Sequence, residues 1–244
     1  IIPLSIFRNH DLNGDFILFA TTWGAFIAVN TYLPMWAQAL LGMSALMGGM
    51  TLIPNSIVEI IASQTVATIQ EKIRTFTLIM IGIVTMMISS CGLFLANNKT
   101  PLWMLIVVGA FSGIGVGFIF VGLQVKVQID AGMKDMATAT STSYLIRILA
   151  QTVMAAVYGV IMNLALASGI NSHSNITMKM MNELSDAKSA KLLPQYLLPE
   201  MRRIFHSGIH EIMAVSFILL IIATVFNFYF NFRQPNKKLN RSSK

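Results

Sequence analysis

Residues 43–74, MSALMGGMTLIPNSIVEIIASQTVATIQEKIR, set the tightest limit on what this chain can fold into. More than twenty residues pass with a single charge, Glu59, before the cluster Glu71, Lys72 and Arg74. About 20 residues at ~1.5 Å each cover a ~30 Å hydrocarbon layer. The stretch therefore predicts a membrane-crossing helix with Glu59 near mid-depth. An ionisable group there costs about 2.5 kcal/mol or more, and it faces a protein interior or a wet cavity. Asn55, Ser56, Glu59 and Ser63 fall at helical spacing on one face, which puts the acid in a polar stripe.

The rest of the chain matches that class. Of 244 residues, 55% are hydrophobic and 11% charged, against about 25% charged in a soluble domain. Mean hydropathy is +0.68. The sequence starts with Ile rather than Met, so a piece of a longer polypeptide or a processed product is expected, and no signal-peptide pattern opens it. Cys91 is the one cysteine, which leaves no intrachain disulfide and no cysteine metal framework.

Six crossings are predicted. A cytoplasmic lead-in, 1–13, precedes five spans within 14–167, at 14–37, 43–70, 75–96, 102–125 and 136–167. A long polar external loop, 168–207, leads to span six, 208–232, and a basic cytoplasmic tail, 233–244, which is expected to be disordered. Pro54 predicts a kink in span two, and Pro101 suits the first turn of span four. Ten Lys and Arg fall in the lead-in, short loops and tail on the terminal side, and only Lys99 in the short linkers opposite. That bias places both termini in the cytoplasm. It also accounts for the net charge of +7 without nucleic acid as a partner.

Within this frame the polar residues inside spans are the candidates. Glu59 could exchange a proton, or be a carboxyl kept neutral by Asn55 or Ser63. Tyr144, Arg147, Gln151 and Tyr158 share one face, as a cavity wall or an interhelix brace; the alternative is an arginine snorkelling to the headgroups. Asn30, Thr31 and Tyr32 could line the outer mouth or bond neighbouring helices. Asp15 reads as an interfacial charge, and His210 and Glu211 as interfacial groups or a proton route. Gly109, Gly113 and Gly117 recur every four residues, a spacing that lets membrane helices approach closely. The 17 Met residues fill a core or soften an apolar pocket. In the external loop, 176–193 and 199–207 could be amphipathic helices broken by Pro194 and Pro199. Asn98 and Asn175 match glycosylation acceptors. His10, His173, His206 and His210 lack metal-ligand spacing. No phosphate-binding loop and no nucleophile–base pair is visible, so neither direct ATP use nor an enzyme is expected.

Several stretches carry a resemblance. PLSIFRN before span one, TYLPMWAQALLGMSALMGGMTLIP over 31–54, and ATATSTSYLIRILAQTVMAAVYGVIMN over 137–163 resemble, in order and spacing, the C-terminal half of a major facilitator superfamily transporter. The likeness is greatest to the fourteen-span drug:proton antiporters of the EmrB/QacA type. An aromatic-x-x-Arg-x-x-x-Gln pattern is met by Tyr144, Arg147 and Gln151. The superfamily's Gly-x-x-x-Asp-Arg-x-Gly loop is echoed by Ala67, Glu71, Lys72 and Arg74, with both glycines replaced, which weakens a gating role for Glu71 and Lys72.

The resemblance implies an all-α bundle of six transmembrane helices in the plasma membrane, no cofactor, and a proton gradient as the energy source. It implies an amphipathic, cationic small-molecule substrate exported by alternating access, and a missing N-terminal transmembrane half. On it, Glu59, Asn55, Ser63, Asn30, Tyr32 and Gln151 would bind proton or substrate, while Arg147, Tyr144 and the span-four glycines would serve structure or gating. The alternatives are a carrier of another solute, such as an organic anion or a siderophore, and a fragment that does not transport.

Overall fold

The computed structural model describes residues 4–97, 100–171, 175–185, 187–190 and 192–232. The basic tail, the Asn98 acceptor, Lys99 and His173 lie outside them. The described residues form helices only: α1 (His10–Ala39), α2 (Ala45–Met50), α3 (Leu52–Ile69), α4 (Thr75–Leu95), α5 (Leu102–Asn171), α6 (Met178–Leu184), α7 (Ala187–Ala190) and α8 (Leu198–Asn231), after a short 3₁₀ turn at Leu4–Arg8. Five segments are long and apolar enough to cross a membrane: α1, α2 with α3, α4, α5 and α8.

Two prolines shape the helices at the places their chemistry dictates. Pro54 has no N–H for the carbonyl four residues back, and its ring crowds that carbonyl. The expected span 43–70 accordingly breaks between Met50 and Leu52, where the Thr51 hydroxyl bonds the Gly48 carbonyl at 2.5 Å. Pro199, expected at the head of an amphipathic helix over 199–207, sits in the first turn of α8, where a missing N–H costs nothing. The helix carrying span six thus starts at Leu198 rather than 208.

The 70 residues of α5 would reach about 105 Å if straight. Gly132 interrupts them at φ 69°, ψ 173°, a conformation essentially confined to glycine. Gln124 and Arg147, 23 residues apart, hydrogen-bond across the break, so the arms 102–131 and 133–171 run back along each other.

α5 contacts every other long helix. Two apolar cores fill the bundle. One, near the start of α1, joins Phe16 and Phe19 to Ile79, Ile83, Ile119, Leu123 and Leu220. The other, near its end, joins Leu33 and Trp36 to Leu93, Leu105, Met162, Phe205 and Ile209. Between them hydroxyls tie the helices together. Ser216 donates to the Ala25 carbonyl and meets Ser90, each at 3.1 Å, and Tyr158 donates to the Gly24 carbonyl at 2.9 Å. Polar groups buried without water need such partners.

Gly132→Ala tests the reversal. No atom lies within 4 Å of the added methyl, so any cost is backbone strain, about 1–3 kcal/mol. The denaturation midpoint in detergent should fall accordingly. Gly122→Ala, on a regular helical turn where the methyl meets only Leu78 at ordinary contact distance, should not lower it.

Candidate functional site

Charged groups lie at three places in the bundle, and each is held differently. Glu59 projects from α3. The buried face of that helix is narrow, Asn55, Ala62 and Val66, and it seats on the first arm of α5. A side chain at Gly113 would strike the Asn55 carbonyl, and one at Gly117 would strike Ala62 and the Glu59 carbonyl. The absence of side chains at these two glycines is what lets the backbones meet. Glu59 is half-buried at the rim of this contact. Among the described residues it makes no hydrogen bond or ion pair, with Asn55 and Ser63 included. Asn55 is buried with its Oδ1 unpartnered, and Ser63 is half-buried.

Arg147 lies on the second arm of α5. Its side chain does not reach towards the headgroups; the residue is 5% exposed. The guanidinium carbon sits 4.8–5.1 Å from the ring centres of Phe19, Trp23, Phe120 and Tyr144. Each such cation–π contact contributes about 0.5–2 kcal/mol, most where water is excluded. Nη2 donates to Gln124 Oε1 at 3.5 Å; the Ser143 hydroxyl lies 3.5 Å from the same oxygen and donates to the Thr140 carbonyl at 2.7 Å. Phe120 is one helical turn from Gly117, so the cage adjoins the α3 seat that carries Glu59.

Asp15, expected at the interface, is fully buried instead. Lys126 Nζ donates to Asp15 at 2.7 Å and to Asp130 at 2.5 Å, and the Asn9 amide bonds the Asp130 carbonyl at 3.0 Å. This ion cluster fastens the start of α1 to the end of the first arm of α5. A buried acid can stay in place only with such a partner. The opposite charges at Lys126 and Asp130, four residues apart, were a readable signal, whereas Asp15 and Lys126 are 111 positions apart.

The remaining candidates are dispersed. Tyr32 is buried in the core near the end of α1, edge-on to Tyr158 at 6.5 Å. Asn30 is half-buried, and Pro34 lacks the N–H its carbonyl would have met. Gln151 is half-buried, and Tyr144 is exposed at the lip of the Arg147 cage. Gly109 packs on Leu33. Glu71 and Lys72 are exposed in the turn after α3. His210 stacks on Phe94 at 4.3 Å, while His206 meets Trp36 and the Ala96 carbonyl. Sequence reading passed over Phe19, Trp23, Phe120 and Gln124, because apolar and amide residues in an apolar run carry no signal until an arginine is placed among them.

Long apolar helices that enclose charged groups at depth define a multi-pass membrane protein. The chain belongs to the Major Facilitator Superfamily, whose profile matches residues 3–170; members of this superfamily are transporters, not enzymes. It is similar to Multidrug resistance protein 3 of Bacillus subtilis, with 25% identity over 240 residues, 92% of this chain and 46% of that protein. It is also similar to MFS-type transporter ppz2 of Metarhizium majus, 31% identical over 143 residues, 58% of this chain and 24% of that one. The Aspyridones efflux protein of Neocamarosporium betae is 24% identical over 231 residues, 92% of this chain and 40% of that protein. The chain thus spans less than half the length of each of these relatives.

Lys126→Met leaves the Asp15 carboxylate buried without its cation. Stability in detergent should fall by about 3–5 kcal/mol, read as an earlier thermal transition. Asp15→Asn added to Lys126→Met should recover part of that loss, since the stranded charge is gone.

Proposed function

We propose that the chain is one six-crossing half of a proton-coupled efflux carrier that exports amphipathic compounds by alternating access. The observation that carries this reading is Glu59: a half-buried acid without an ionic or hydrogen-bonding partner among the described residues, on a helix covered along one narrow face. An acid in that setting can take up and release a proton, or engage a cationic group, as its surroundings change. The relatives named for multidrug resistance and efflux support export as the direction. No cofactor is needed: the proton gradient supplies the energy, and the remaining length of the relatives supplies the second bundle.

Six crossings follow if each arm of α5 traverses the bilayer. The positive charge bias then puts both termini and the Gly132 turn in the cytoplasm of a plasma-membrane protein. Met133 and Leu192 are exposed and report opposite sides. In a Cys91→Ser background, Met133→Cys should react with a membrane-impermeant thiol reagent only in inside-out vesicles, and Leu192→Cys only in intact cells. Labelling of both from one side overturns this topology.

Glu59→Gln keeps the shape of the side chain and removes its charge. In cells making the full-length protein, gradient-driven dye efflux should fall at least tenfold with the protein still present in the membrane. Unchanged efflux would remove Glu59 from the mechanism.

A further inference from the structure

Arg147 poses a problem that the proton-coupled reading leaves untouched. An arginine side chain stays charged, and a charge inside a membrane bundle is ordinarily paired with an acid. Among the described residues no acidic side chain reaches ion-pair distance of this guanidinium. The four rings stabilise the positive charge through their faces, but they offer no lone pair.

The neighbouring amide deepens the mismatch. Gln124 Oε1 accepts from Arg147, which turns the amide nitrogen away from the guanidinium. Gln124 Nε2 and Arg147 Nε are both buried and, among the described residues, both without a partner. The site therefore holds one uncompensated cation and two idle N–H donors. A carboxylate is the complement of that set, because its two oxygens match the flat edge of a guanidinium and accept from several donors at once.

Two of the four rings also reach the surface of the bundle. Phe19 and Trp23, from α1, are 0% and 7% exposed, whereas Phe120 and Tyr144, from the two arms of α5, are 38% and 59% exposed. Aromatic lips beside a buried cation suit a flat apolar body that ends in an acid. We propose that the Arg147 cage binds the carboxylate of an amphipathic aromatic ligand, with Arg147 and Gln124 as the donors and Phe120 and Tyr144 flanking the ring system. This extends the carrier reading on which it rests: organic acids, or zwitterions whose cationic end reaches Glu59, belong to the substrate class.

The test is binding to the purified full-length protein in detergent with no gradient, so it succeeds or fails independently of the Glu59→Gln efflux result. The probes are 1-pyrenebutyrate and its neutral counterpart 1-pyrenebutanol, followed by fluorescence anisotropy with empty micelles subtracted. The wild type should bind the acid at least tenfold more tightly than the alcohol. Arg147→Gln should abolish that preference, and Arg147→Lys should retain a smaller one, since it keeps the charge and loses the planar fork. Gln124→Leu removes the second donor together with the amide oxygen that holds Arg147 and should weaken acid binding several-fold, which serves should Arg147→Gln fail to fold. A preference that survives both Arg147→Gln and Gln124→Leu overturns the proposal. So does a wild type that shows none, the result expected if an acidic side chain from elsewhere in the full-length polypeptide already occupies the guanidinium.

Discussion

The chain's reversal at Gly132 is the constraint on which the interior depends. A single residue in a backbone conformation that side chains disfavour brings residues 124 and 147 into contact. With that turn made, one arm of α5 presents its glycines to α3 and its Lys126 to α1, while the other arm presents Arg147 and Tyr158 to α1. A straight helix would meet none of these partners together. The hydroxyl bonds of Ser90, Ser216 and Tyr158 hold the helices at mid-height, but they act on an arrangement that the reversal has already set.

The interior charges illustrate three physical answers to one difficulty. Asp15 is neutralised by an ammonium and buried outright. Arg147 is spread across aromatic faces and left short of acceptors. Glu59 is kept at a rim, only half covered. The order runs from the most to the least satisfied. Structural fastening belongs at one end of that series and chemistry at the other, because a group that already has its partner has no reason to exchange it for a proton or a ligand.

The helices and most of their ends were legible because the signal is local: apolar runs of membrane length, punctuated by Pro, Gly and charge. Glu59 was legible for the same reason, as one acid in a long apolar run. The Arg147 cage was not, since its rings come from three stretches of chain and look like ordinary core residues in each. Asp15 was misread as interfacial because its partner lies 111 positions away, and distance along the chain hides an ion pair completely. The stretch 199–207 was read as separate from span six, whereas the two form one helix, α8.

The seat of α3 has a mechanical side. Gly113 and Gly117 give this helix a bearing surface with no side chains projecting from α5. Asn55 and Ala62 occupy the two notches so left, so the helix that carries the half-covered acid is keyed to α5 by the shape of the backbone itself.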